Sequence, residues 1–208
     1  MSRPHRKKGS AFRWVVVVLL ALTFAAAFFY RDDLRDLTVD DTRYAAEIAA
    51  AADRYGLDPQ LVRAVVFQES RFDPAARGGA GEVGLMQVLP SGAGAEWARW
   101  SGSPPPDAGD LKDPEFNLNV GCWYLAEGML RYEDYREATE LALARYNAGQ
   151  SRADKWRPGE TDGSVAELIS ISGTRRYVSH IMKRYRNYMA EAERKKFEGL
   201  EGSLAAKE

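Results

Sequence analysis

The chain is poor in the residues that build disulfides and metal centres. Its 208 residues include one cysteine, Cys122, and two histidines, His5 and His180. A single cysteine excludes an intrachain disulfide, and this set cannot form a structural zinc site of the usual thiolate and imidazole kind. No carboxylate-rich ligand loop stands out, so no metal and no cofactor is expected. Strand-like alternation is almost absent, and there is no internal repeat or low-complexity tract. What is present is enough apolar material for a core: 45% hydrophobic and 11% aromatic residues, which excludes general disorder.

Charge is nearly balanced, at a formal −1, but unevenly placed. Residues 1–13 carry Arg3, Arg6, Lys7, Lys8 and Arg13 and no acid. The remainder holds 24 basic and 30 acidic side chains, a net of −6. An acidic body is a poor partner for a polyanion, so nucleic acid is not expected as a ligand.

The basic segment has a different use. Trp14 to Tyr30 reads WVVVVLLALTFAAAFFY, with only Thr23 polar. As a helix it spans about 26 Å, slightly less than the ~30 Å hydrocarbon core. Arg13 and Arg31 can snorkel, and Trp14 and Tyr30 suit the two interfaces. The cations lie on the N-terminal side, which places the rest of the chain outside the cytoplasm. A cleaved signal peptide is the competing reading, with Ala25-Ala26-Ala27 as the cleavage site. Phe28-Phe29-Tyr30 carry the apolar run past that site, which favours a retained single-pass anchor.

The expected organisation is a basic cytoplasmic N-terminus (1–13), a transmembrane helix (14–30), a charged linker (31–40), an all-α domain (41–196) and a tail (197–208). Asp40 or Asp41 is expected to cap a first helix that stops at Gly56. Asp58-Pro59 and Asp113-Pro114 each pair a cap with a first-turn proline. Ala138 to Asn147 reads as a helix ended by Gly149, and Gly173 to about Lys196 as a long final one. Two stretches, 73–83 and 101–112, are too rich in glycine or proline to be helical.

Glu69 is out of place for a solvated acid. With Leu61 at zero on a helical wheel, Val65, Val62 and Val66 fall at about 40°, 100° and 140°, and Glu69 at about 80°. A carboxylate on an inward face responds by raising its pKa, which suits a proton donor. An internal ion pair would occupy the same position, and spacing alone does not separate the two.

Four segments in order narrow the choice. Glu69-Ser70 within VVFQESRFDP, GLMQVLP at 84–90, ARYNAG at 144–149 and TRRYVSHIMKRY at 174–185 together resemble the Slt-type lytic transglycosylases, whose catalytic domain is goose-lysozyme-like. The resemblance covers about 150 residues and implies an all-α, lysozyme-like domain. It also implies peptidoglycan glycan strands as substrate and Glu69 as the single catalytic acid and base.

Further roles follow from the same resemblance. Ser70 supports the site, Met86 lines the groove, Gln87 binds the sugar or its acetamido group, and Tyr146 lies near the acid. Asn147 fixes a helix end or touches substrate, and Tyr177 matches the tyrosine of the last motif. Gly84 would let the backbone approach substrate. His180 is expected on the surface or in the packing of the last helix. Two departures stand out. Gly173 occupies the place of the glutamate that usually precedes Thr-Arg, and Arg145 replaces a usual alanine, at the groove edge or facing water.

The implied reaction cleaves the bond between N-acetylmuramic acid and N-acetylglucosamine without water, leaving a 1,6-anhydro end. A muramidase is the enzymatic alternative, needing a second carboxylate such as Asp73 or Glu82, both expected as solvated loop residues. A non-catalytic peptidoglycan-binding protein is the other. Service to cell-wall or secretion machinery would use the same chemistry.

Overall fold

Asp58 and Pro59 start a helix as their chemistry predicts. In a computed structural model, which describes residue 36 and residues 38–205, the Asp58 side chain accepts from the Gln60 amide at 2.7 Å and Pro59 opens the helix. Asp113 does the same for Phe116 at 2.8 Å. The expected span at 14–30 lies outside the described residues. Among those that are described, no helix is long and apolar enough to cross a membrane. Chain contacts divide into two units, Met1–Asp40 and Asp41–Glu208, and the second holds the helical domain.

That domain is built from α1 (Ala45–Arg54), α2 (Pro59–Ser70), α3 (Ala95–Ser101), α4 (Pro114–Arg131), α5 (Ala138–Ala148), the short α6 (Gln150–Ala153) and α7 (Ser172–Ala205). Its only β pairing among the described residues is two antiparallel bridges, Arg77 with Val83 and Val83 with Val88. Helix α2 is central. It packs on α1 and α7, while α4 packs on α5 and α1.

The inward arc read from the wheel is narrower than the real one. Leu61, Val62, Ala64, Val65, Val66 and Phe67 are all buried, so the middle of α2 is enclosed almost all round; Pro59 is exposed, and Gln60, Arg63 and the last three residues are partly so. A helix enclosed this way is a rigid support for whatever its C-terminal turn presents.

Three sequence expectations give way. Helix α1 begins at Ala45 behind Tyr44, which takes φ 65° and makes no side-chain cap. Asp41 is engaged elsewhere, pairing with Arg63 at 2.9 Å and accepting from the Tyr188 hydroxyl at 2.7 Å. Helix α3 was not anticipated, although Gly102 at φ 71° ends it in the left-handed manner typical of glycine. Helix α7 continues through Ala205, past the expected end near Lys196.

Candidate active site

The site forms where α2 ends and the chain must reverse. Arg71 and Phe72 take φ of 50° and 63°, two consecutive left-handed residues that turn the backbone sharply after Ser70. Phe72 holds the turn by burying its ring edge-on to Phe67, centroids 6.3 Å apart. The chain then folds back through the bridged loop 77–88, with Val83 and Val88 exchanging two 3.0 Å hydrogen bonds.

That loop is clamped by Asn117 on α4, a residue the sequence reading overlooked. It is fully buried. Its amide donates to the Val83 and Leu111 carbonyls, both at 2.8 Å, and its oxygen accepts from the Met86 amide at 2.8 Å. Gly84 is required by this clamp. At φ 82°, a Cβ there would run into the Asn117 amide and the Leu111 carbonyl. The glycine therefore admits a protein side chain, not a substrate.

Glu69 is half-buried and opens into a pocket of about 250 Å³ shared with Glu82, Gln87, Tyr146 and Asn147. The Tyr177 hydroxyl donates to its Oε1 at 2.5 Å. Burial pushes the Glu69 carboxyl up from 4.5 to about 7; the Tyr177 hydrogen bond opposes this, and the Glu82 charge adds to it. Tyr146 and Tyr177 are themselves raised well above 10, first by burial and then by Glu69, so both stay protonated as donors. The pocket thus holds a carboxylic acid poised to change protonation near neutrality, with fixed hydroxyls beside it.

The remaining candidates divide between pocket and scaffold. Gln87 lines the pocket and takes φ 46°, its amide nitrogen donating to Ala76 O and Gly84 O at 3.1 and 3.0 Å. Its side-chain oxygen is the group left for a ligand. Tyr146 donates to Met86 O at 2.8 Å, which fixes the ring against the loop. Asn147 accepts from Thr174 Oγ1 at 2.8 Å and so ties the end of α5 to α7. Ser70 is a scaffold group: it donates to Leu85 O at 2.8 Å and does not line the pocket. Met86 is fully buried, its sulfur 3.8 Å from Cys122 Sγ, so its side chain belongs to the core and not to the groove wall.

Over residues 46–169 the chain matches the family model for the transglycosylase SLT domain. The chain belongs to this family. It is 38% identical over 80 residues to the membrane-bound lytic murein transglycosylase E of Buchnera aphidicola, covering 38% of this chain and 36% of that protein. It is 32% identical over 138 residues to the soluble lytic murein transglycosylase of Salmonella typhimurium, covering 62% of this chain and 21% of that protein. It therefore spans about a third and a fifth of these curated relatives' lengths.

Solved SLT structures share the fold. The lytic transglycosylase Slt of Pseudomonas aeruginosa, in an inactive glutamate-to-glutamine variant, superposes with a TM-score of 0.66 at 28% identity, covering 76% of this chain and 25% of that one. The 70 kDa soluble lytic transglycosylase SLT70 of Escherichia coli gives 0.62 at 26% identity, covering 79% and 30%. The lysozyme-like helical fold expected from the motifs is thus the observed one.

Measured against the SLT motifs, the two departures acquire definite surroundings. Arg145 is 5% exposed, and so is neither at a groove edge nor facing water. It donates to Tyr124 O at 2.8 Å, stacks on the Tyr124 ring at 4.0 Å and approaches Glu96 at 3.7 Å. At Gly173 a Cβ would meet nothing within 4 Å, so a side chain at this position would have open space. Glu82, expected to be solvated, is half-buried in the Glu69 pocket and accepts from the Ala80 amide at 3.0 Å.

Proposed function

We propose that this chain is a peptidoglycan lytic transglycosylase that cleaves the β-1,4 bond between N-acetylmuramic acid and N-acetylglucosamine without water. The observation that carries this reading is the state of Glu69: one carboxyl held near pH 7 in a polar cleft, supported by Tyr177 and flanked by Gln87 and Tyr146. Membership of the SLT family and the names of the relatives point to the same substrate.

The chemistry needs a group that is first an acid and then a base. Protonated Glu69 gives its proton to the glycosidic oxygen as the bond to muramoyl C1 breaks. The substrate's acetamido group stabilises the charge developing at C1. Ionised Glu69 then takes the proton of the muramoyl C6 hydroxyl, whose oxygen bonds to C1. The products are a free 4-hydroxyl and a 1,6-anhydro end, and no water enters. Tyr177 holds the carboxylate between the two transfers, and the Gln87 oxygen is placed to accept from a sugar hydroxyl or the acetamido N–H.

Glu82 in the same pocket favours a second reading, hydrolysis by a muramidase in which this carboxylate positions water. Digestion of purified peptidoglycan followed by mass spectrometry of the ends decides between them. Anhydro ends are expected. Reducing muramic ends, heavier by one water, would overturn the lytic reading. Binding without cleavage would leave a glycan-binding protein.

We also place the domain outside the cytoplasm on a retained N-terminal anchor. The apolar run 14–30 behind its basic cluster supports this, as does the membrane-bound designation of one relative. Protease accessibility in spheroplasts tests it.

A further inference from the structure

A second and larger pocket adjoins the first. It has a volume of about 480 Å³ and is lined by Gln68, Asn147, Ile171, Arg176, Tyr177 and His180, among others. Asn147 borders both pockets, and Tyr177 stands between them with its hydroxyl on Glu69. The two cavities are therefore neighbours along one cleft.

Its electrostatics are unlike those of the rest of the domain. After residue 13 the chain carries a net of −6, yet this pocket is lined by two basic side chains, Arg176 and His180, one turn apart on α7, and by no Asp or Glu. Both are exposed, and neither has an acidic partner among the described residues. Arg175, the adjacent arginine, differs: its guanidinium donates to Ile169 O at 2.7 and 3.0 Å, and it does not line the pocket. Gly173 also lines this pocket, and a Cβ there would meet nothing within 4 Å. No Asp or Glu lines the cavity, so the Arg176 fork stands unopposed beside the Glu69 pocket.

We propose that this pocket is a carboxylate subsite for the substituent on O3 of the muramoyl residue held at Glu69. This rests on the lytic transglycosylase reading, because that ring is the acid-bearing part of the glycan. Its O3 arm leaves the ring away from the scissile C1 and reaches a neighbouring pocket within the width of one sugar. The arm ends in a lactyl carboxylate when bare and in peptide carboxylates when a stem is attached. Arg176 pairs with either, and the imidazole of His180 adds a donor.

The test compares the full-length chain with Arg176→Ala and Gly173→Glu on three ligands. Peptide-bearing strands carry stem carboxylates, amidase-stripped strands carry the lactyl carboxylate, and chitohexaose, used as an inhibitor, carries none. Each substitution should raise KM about tenfold on a carboxylate-bearing strand, the scale of one lost charge-assisted hydrogen bond. Chitohexaose inhibition should not move. A KM change on peptide-bearing strands alone assigns the stem carboxylates, and one on stripped strands assigns the lactyl group. Unchanged KM on both strands, or an equal loss of chitohexaose affinity, overturns the subsite while leaving the lytic reading intact. Failure of the wild-type chain to cleave either strand defeats both.

Discussion

Tyr177 donates its hydroxyl to Glu69 Oε1 at 2.5 Å, joining the start of α7 to the end of α2 across 108 positions of sequence. The bond has a definite electrostatic sense. A hydroxyl donor favours the ionised carboxylate, so it pulls the Glu69 pKa down while burial pushes it up to about 7.

Tyr177→Phe should therefore raise the Glu69 pKa further. Cleavage requires the protonated acid in the free enzyme, so the alkaline limb of kcat/KM falls near pH 7 in the wild type. In the variant that limb should move to higher pH. The second step, which needs a well-held carboxylate, should slow, lowering kcat about tenfold or more. A pH profile measured on purified glycan strands checks both effects. An unmoved limb would mean that the tyrosine only packs.

Glu82→Gln should act in the opposite direction. The Glu82 charge disfavours a second negative charge on Glu69, so neutralising it lowers the Glu69 pKa and moves the alkaline limb to lower pH. Product ends should remain anhydro, because the lytic route needs only one carboxylate. If the wild type yields some reducing ends and the variant none, Glu82 is a water-positioning base and the domain is partly a muramidase.

The parts of the fold that depend on neighbouring residues were legible in the sequence. Asp58-Pro59 and Asp113-Pro114 start their helices, and Gly149 ends α5 at φ 85°. Glu69 stood out because a carboxylate on an apolar arc is locally anomalous. Contacts between distant segments were not legible. Asn117 clamps a loop more than 30 residues before it, and nothing in FNLNV separates that asparagine from a solvated one. Met86 and Arg145 were misplaced for the same reason: the motif gives their order, while burial is decided by α4, which packs over both. Glu82 looked solvated because its loop is rich in glycine, yet the bridges at Val83 fold that loop back over the site.

Asn117→Ala should uncouple the site from its scaffold. It strips partners from two buried carbonyls and one buried amide, and unsatisfied groups of this kind cost about 1–3 kcal/mol each. A total loss of about 3 kcal/mol or more, read from urea denaturation, is expected. Gln87 and the Glu82 loop should lose their order, so activity should fall even where the variant remains folded. Asn117→Asp keeps the acceptor for the Met86 amide but not the two donors, and should recover little.

Glu69 also stores a stability cost that its own substitution should reveal. The unfolded chain releases the carboxyl proton near pH 4.5, whereas the folded domain keeps it to about 7. Below pH 4.5 both states are protonated and the group costs nothing. Between 4.5 and 7 the folded state holds the extra proton, so stability declines as pH rises, and the full deficit is present above 7. A shift of this size corresponds to about 3 kcal/mol at most. Glu69→Gln removes the charge but keeps the shape and an oxygen for Tyr177. The variant should be inactive, as stable as wild type at pH 4, and more stable at pH 8 by up to that amount. Urea denaturation at the two pH values measures the difference, and a gap that stays constant with pH would mean that Glu69 is not held against its ionisation.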